Sequence, residues 1–477
     1  MDLNFLIPEL VSGLRYRKGT YAVVEGDFAT TGAAHIDYQR ELPAPLVDAS
    51  AGPHGYRRVL GAGSSVLGAE TGLTLLSAVE LVHNDGPWEQ PEGLRKRNAV
   101  LRLSSGTVSN GASLSLMAYE AHWTATEHVP ERAIANGEIG RYGALVSTDG
   151  GRTHRHSISG EWARSSEAGA TRASAYLIDY GLNLFSNPSG YINGPQGDQH
   201  EQVDRRLVTG GHLVHTRLLG SEWRDTELAA GMQLRHDNIN ALGLYDTVAR
   251  ERTNTVREDK VQQTALGFYG EARTQWQRWL RSIAGVRWDR VQMRVSAGGT
   301  FNIDNGGSER GRQWSPKLGL VFGPFPGALD KTEFYANWGR GFHSSDARGT
   351  TATTSPVDGS TIDKVSPLVK ATGACGPVDV LVDRQLDSHV RSASFETGTI
   401  APSLRSMSMS PVAQAVEVGN LLAAALDNPH DETNIARAQE RAEKALRKSS
   451  RRIALLKKKW LTSQSCGVLR HAMIDIN

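Results

Sequence analysis

The sequence predicts an all-β protein built on one large antiparallel sheet, and three observations predict it. Runs of alternating residues recur along most of the chain, clusters of turn-forming residues separate them, and helical periodicity is nearly absent before about Gly373. The clearest run is Thr264–Asp289, TALGFYGEARTQWQRWLRSIAGVRWD. Ala284, Val286 and Trp288 point one way while Arg287 and Asp289 point the other, and Leu266 and Phe268 oppose Glu271 and Arg273. A strand with one apolar and one charged face separates two environments. Many such strands in succession are most economically closed into a barrel, with lipid outside and water inside, or a core on one side and water on the other.

The elements follow in order. Ser12–Val24 and Asp27–Tyr38 read as one pair joined through Glu25-Gly26, and Thr71–His83 as a strand ended by Asn84-Asp85-Gly86-Pro87. Arg97–Gly106 and Ala112–Thr124 form a hairpin around Asn110-Gly111. There Leu101 and Leu103 oppose Arg102 and Ser104, and Leu114, Leu116 and Ala118 oppose Ser113 and Ser115. His154–Arg164, Thr171–Tyr180, Gln202–Leu219 and Thr226–Asn238 come next, then the hairpins Thr264–Val295 and Gln313–Trp338. About fourteen strands fit, many near the length that crosses a bilayer at a tilt.

The joins are unequal. Trp276–Trp279 and Phe322–Gly327 are short, whereas Asn187–Gln199, Leu242–Lys260 and Gly298–Arg312 are long and polar. Trp276, Trp279, Trp288, Trp314 and Trp338 fall near strand ends, where interface girdles or ordinary strand packing would place them. Beyond Gly373 the character changes, and Glu432–Trp460 reads as a basic helix with a solvated charged face.

Composition narrows the function. A net charge of +2 exerts no global pull toward nucleic acid. No apolar run is long enough for a membrane-spanning helix, although strands need only alternate apolar residues. The only cysteines, Cys375 and Cys466, build neither a zinc site nor a disulfide framework. MDLNFLIPEL lacks the basic start and cleavage site of a secretory signal. No H-E-x-x-H, G-x-S-x-G, Walker loop or C-x-x-C occurs, so no catalytic residue, cofactor or enzyme activity is expected. His154 and His156 share a strand face and His212 lies near His215. Either pair offers two metal ligands without an apparent third, so no metal site is assigned.

Several segments together resemble the TonB-dependent outer-membrane receptors. DLNFLIPELVSGLRYRKG (Asp2–Gly19) is similar to the passage from the plug domain into the first barrel strands, and Gly26–Tyr38 to the second strand. His128–Gly151 and Gly197–Arg206 resemble connections of that family. WSPKLGLVFGP (Trp314–Pro324) and TEFYANWGRGFHSSDARGTT (Thr332–Thr351) are the most specific. The likeness ends with DKVSPLVKATGA (Asp363–Ala374), which divides the chain into a partial barrel, 1–374, and an unrelated, partly helical basic tail, 375–477. The resemblance implies a partial transmembrane antiparallel β-barrel, about fourteen strands of the 22 such transporters have, with plug, signal peptide and last strands lacking.

By the same resemblance, the chain is expected in the outer membrane, in contact with its lipid, taking up a small-molecule ligand. That ligand is a siderophore, cobalamin, saccharide or peptide, and the TonB complex drives uptake in an intact relative. Arg340, His343, Asp346 and Arg348 fall at the implied extracellular loop mouth as weak ligand-binding candidates. Arg235, Asp237, Glu271, Arg273, Arg287 and Asp289 would line a hydrated lumen, where such residues hold the plug. The other readings are a truncated or frameshifted copy without activity of its own, a passive porin, and a soluble all-β binding protein.

Overall fold

In the computed structural model, residues 3–68, 72–127, 129–189, 198–221, 224–325 and 332–382 are described. The tail expected to be helical, Glu432–Trp460, lies outside them. Two strands stand apart from the rest: β1 (Val11–Lys18) pairs only with β2 (Gly32–Tyr38). The main sheet then runs β3 (Leu46–Ala51), β4 (Arg57–Leu67), β5 (Leu73–Asn84), β6 (Leu94–Gly106), β7 (Gly111–Thr124), β8 (Gly150–Ser166) and β9 (Gly169–Ser186). It continues with β10 (Gln199–Ser221), β11 (Arg224–Val248), β12 (Glu251–Gln277), β13 (Leu280–Ser296), β14 (Gly307–Phe325), β15 (Thr332–Ser344) and β16 (Leu368–Val382). These fourteen strands pair in sequence order, so every connection joins neighbours, and β3 and β16 are the two edges of an open sheet. The only described α-helices are single turns, α1 (Glu131–Ala135) and α2 (Ala347–Thr351).

The sheet is apolar on the outside. Leu101, Leu114 and Leu116 are 43–46% exposed, while Ser104, Ser113 and Ser115 on the opposite face are at most 8% exposed. On β13, Val286 is exposed whereas Arg287 and Asp289 are buried. This inverts the arrangement of a protein that meets water with its outer face, and it suits a face that meets hydrocarbon.

Phe268, Trp288 and Trp314, from three adjacent strands, form one row, with centroids 6.1 Å and 6.5 Å apart. Trp276 lies eight residues further down β12, roughly 26 Å along the strand. At a tilt of about 35–45° that is roughly 20 Å of height, close to an apolar band between two aromatic levels. Trp288 and Trp314 therefore mark an interface level inside their strands rather than at strand ends, because the strands continue beyond it.

Two readings of the connections need correction. Leu242–Lys260 is not a loop: β11 and β12 pair through it to a tight turn at Ala249 and Arg250, whose φ angles are 51° and 70°. Alternation is lost in the β12 arm, where both faces of Glu251–Lys260 are polar apart from Val256, but backbone pairing needs no apolar face. β1 and β2 are not barrel strands, and their connection runs through residues 19–31 rather than a turn at Glu25-Gly26. β3 and β4, short of aromatic residues, carried no clear signal.

Residues 3–45 run along the inner face. Ile7 and Leu10 form a core with Leu60, Leu76, Ala78 and Val100. Beside it, Arg58 of β4 bridges Glu9 and Glu80 at 2.8 Å each, and Asn98 Nδ2 donates to Glu80 and to the Asn4 carbonyl.

The chain divides into two compact units: Met1–Trp276 with Ser282–Leu318 and Gly339–Thr372, and a second that includes Gln277–Arg281 and Gly319–Trp338. Within the second, Arg281 pairs with Glu333 at 2.7 Å and Phe325 contacts Phe334.

Replacing Val286 by Arg places a charge on the outer face. For a lipid-facing position near the midplane, the variant should lose about 2–4 kcal/mol of unfolding free energy in lipid vesicles, read from urea titrations. A change within about 0.5 kcal/mol would instead mark a water-facing surface.

Candidate functional site

The inward charges form pairs along their own strands, as a period of two requires. Arg235 meets Asp237 at 2.7 Å, Arg273 meets Glu271 at 2.7 Å and Arg287 meets Asp289 at 2.8 Å. Arg287, only 3% exposed, also donates to the carbonyls of Val23 and Val24 at 3.3 Å and 3.2 Å. Gln233 donates to Val24, and Lys317 Nζ donates to the Thr20 carbonyl at 2.5 Å. Each hydrogen bond from a charged donor contributes about 1.5–3 kcal/mol in such a setting.

The strands come close to the segment where they carry glycine. A Cβ on Gly285 would lie 2.5 Å from Val23, and one on Gly339 2.9 Å from the Thr20 carbonyl. Asp27 completes the clamp by accepting from the Ser344 backbone and hydroxyl at 2.6 Å and 2.5 Å. Burial raises the Asp27 carboxyl above its ordinary range against those hydrogen bonds. The sequence singled out Arg287 as lumen-lining but counted neither Lys317 nor Gln233 with it, although each is a polar residue on the non-apolar face of its strand.

The four residues expected at the loop mouth separate. Asp346 caps α2 by accepting from the Arg348 backbone, and it pairs with the Arg348 guanidinium at 2.6 Å. Burial raises the Asp346 carboxyl, but the Arg348 pair outweighs it and leaves the group below its ordinary range. His343 stacks on Phe28 at 6.0 Å and donates through Nδ1 to the Ser344 carbonyl. Arg340 is exposed between Gly339 and Gly341, the two glycines that face Thr20. His343 thus faces the N-terminal segment, and Asp346 and Arg348 form a local cap.

A cavity of about 550 Å³ opens at the loop ends of β6–β11, opposite the short hairpin turns. Arg95, Arg152, Arg250, Glu92, Glu201, Trp123 and Phe185 are among its lining residues, and the sequence reading included none of them. Glu201 is committed to Arg252 at 2.5 Å and to Asn183 at 2.6 Å. Arg250 lies 5.2 Å over the Phe185 ring and donates to the Thr148 and Asp149 carbonyls. Burial pushes the Asp149 carboxyl up, and Gln199 and the Asn187 backbone donate to it. These residues come from five strands, the β5–β6 connection and the β11–β12 turn, so no spacing in the sequence announces them.

The two histidine pairs differ. His212 points inward to the Tyr269 hydroxyl at 2.7 Å, whereas His215 contacts Thr171 on the other face, so they form no pair. His154 and His156 do share the outer face, and the neighbouring strand adds Asp179.

Comparison with known proteins agrees with this architecture. The family described as TonB dependent receptor-like, beta-barrel matches residues 96–378. No curated protein matches. Among solved structures, the ferric citrate transporter FecA in its unliganded form superimposes with a TM-score of 0.53 at 11% identity, over 68% of this chain and 48% of that one. The siderophore receptor PiuA from Acinetobacter baumannii gives 0.53 at 11%, over 69% and 54%. A double mutant of the Serratia marcescens hemophore receptor HasR, in complex with its hemophore HasA and heme, gives 0.52 at 14%, over 74% and 54%. At such identities the likeness concerns the fold, and the chain spans about half the length of these structures. The family match covers more than half of the sequence, and the chain belongs to the TonB-dependent receptors through their β-barrel domain.

Proposed function

We propose that this chain serves ligand uptake across the outer membrane, as part of a receptor whose gating segment is residues 1–45. The observation that carries the reading is the clamp on the main chain of residues 20–27. Arg287, Lys317 and Gln233 hold carbonyl oxygens rather than side chains, which suits a segment that must be held and released as a unit. A passive porin has no use for such a clamp. In this reading the apolar outer face sits in outer-membrane lipid and the TonB complex supplies the energy for release. The role is binding and transport rather than catalysis.

The ligand is a small anionic solute. Arg95, Arg152 and Arg250 face the loop-end cavity, and Glu201 is already neutralised by Arg252. Trp123 and Phe185 add aromatic faces for a chelate with rings. Siderophore and heme complexes combine both properties, which favours them over saccharides and peptides.

Tryptophan-fluorescence titration of the full chain in detergent, against ferric siderophores, heme and cobalamin, tests this. An anionic chelate should quench, and Arg152→Ala with Arg250→Ala should weaken it at least tenfold, about 1.4 kcal/mol. Binding by none of the three, or binding indifferent to both arginines, would overturn the ligand assignment.

Arg287→Ala combined with Lys317→Ala should raise the rate of tryptic cleavage after Arg17 and Lys18 by ten- to a hundredfold, with the sheet's circular dichroism unchanged. An unchanged rate would remove the clamp from the account. The Glu9 anchor adds a pH signature. Its bond to Arg58 lowers the Glu9 carboxyl below the ordinary 4.5. A depressed carboxyl stabilises the contact fully above the ordinary value and loses it as pH falls through the depressed one. Hydrogen exchange of residues 5–10, corrected for intrinsic rates, should accelerate below pH 4.5 in the wild type. In Glu9→Gln that acceleration should be absent.

A further inference from the structure

β8 carries His154 and His156 two positions apart, so both imidazoles leave the sheet on the same side. Register places Asp179 of β9 opposite His156, and Glu120 of β7 opposite His154. His154 Nε2 lies 3.3 Å from Asp179 Oδ2, His156 Nδ1 lies 3.9 Å from the same oxygen, and His156 Nε2 lies 3.6 Å from Glu120 Oε1. One donor atom from each of His154, His156 and Asp179 falls within 4.8 Å of the others. Ligand atoms around a tetrahedral ion with bonds of about 2.0–2.1 Å stand roughly 3.4 Å apart, so the observed separations need only small rotations to close on a metal.

The surroundings hold the donors in place. The two rings stack with centroids 5.3 Å apart, and His154 Nε2 and His156 Nδ1 both turn toward one Asp179 oxygen. Gly181 sits opposite His154 and leaves room for its ring: a Cβ there would lie 2.3 Å from Cε1. The cluster is accessible, with side chains 40–58% exposed. It stands next along the strands to the outward apolar residues Leu116, Ile158 and Leu177.

We propose that His154, His156 and Asp179 bind one divalent transition-metal ion of the zinc, nickel or copper class on the outer face of the sheet. Two imidazoles and carboxylate oxygens suit these ions and discriminate against calcium and magnesium, which prefer oxygen alone. The site lies apart from the clamp, and on β7 and β8 it is one step of the alternation away from His122 and Arg152 of the loop-end cavity.

The test is a titration of the full chain, refolded in detergent and stripped of metal, with cobalt as a spectroscopic probe and zinc as competitor. One equivalent of cobalt should give visible ligand-field bands, displaced by zinc. His156→Ala and Asp179→Asn should each weaken binding tenfold or more. Gly181→Ala keeps every donor but crowds the His154 ring, and it should weaken binding as well. Asp179→Asn is nearly isosteric and carries the test if the alanine variant does not refold. Bands and affinity unchanged in Asp179→Asn and in the His154→Ala, His156→Ala double variant would overturn the proposal, since cobalt would then be bound by the remaining histidines.

Discussion

The structure depends on one constraint, the pairing of every strand's backbone with its neighbour. Lipid supplies no hydrogen-bond partner, so a peptide group placed in it must be satisfied by another peptide group. The unbroken ladder from β3 to β16 meets that demand for twelve interior strands, and connections that join only neighbours keep it local. Once pairing fixes the strands, the period of two assigns each side chain to a face. The apolar residues and the Phe268–Trp288–Trp314 row fall outside, and the charged pairs fall inside. Among the described residues the edges β3 and β16 are not paired with each other, so each presents backbone groups that need a further partner in lipid.

The inner face is neither an open channel nor an ordinary core. Its charges neutralise one another in pairs two residues apart, which leaves their remaining donors for the main chain of the N-terminal segment. That division of labour explains why arginine predominates. One guanidinium holds its carboxylate and still reaches two carbonyls, as Arg287 does with Asp289, Val23 and Val24. Glycines at Gly285, Gly339 and Gly341 bring the strands within reach.

Much of this was legible in the sequence, because alternation reports directly on a sheet with two unlike faces. The hairpin around Asn110-Gly111 and the facing of Val286 against Arg287 stand as read. What escaped were features that alternation does not encode. The first part of β12, Glu251–Lys260, is polar on both faces apart from Val256, and its strand character comes from pairing alone. β1 and β2 alternate like barrel strands, yet they pair with each other. The loop-end cavity and the Asp179 partner of His154 and His156 arise from register between strands, which a single chain's spacing does not show.

The most direct test of the account is the accessibility of spin labels placed one at a time along β13 in the full chain reconstituted in lipid vesicles. Labels at Ala284, Val286 and Trp288 should collide readily with oxygen dissolved in the bilayer and poorly with a water-soluble nickel chelate. Labels at Gly285, Arg287 and Asp289 should be shielded from oxygen. A two-residue oscillation in these accessibilities is the result expected of a lipid-facing sheet with a filled inner face. Uniform access of the chelate to both sets would contradict it.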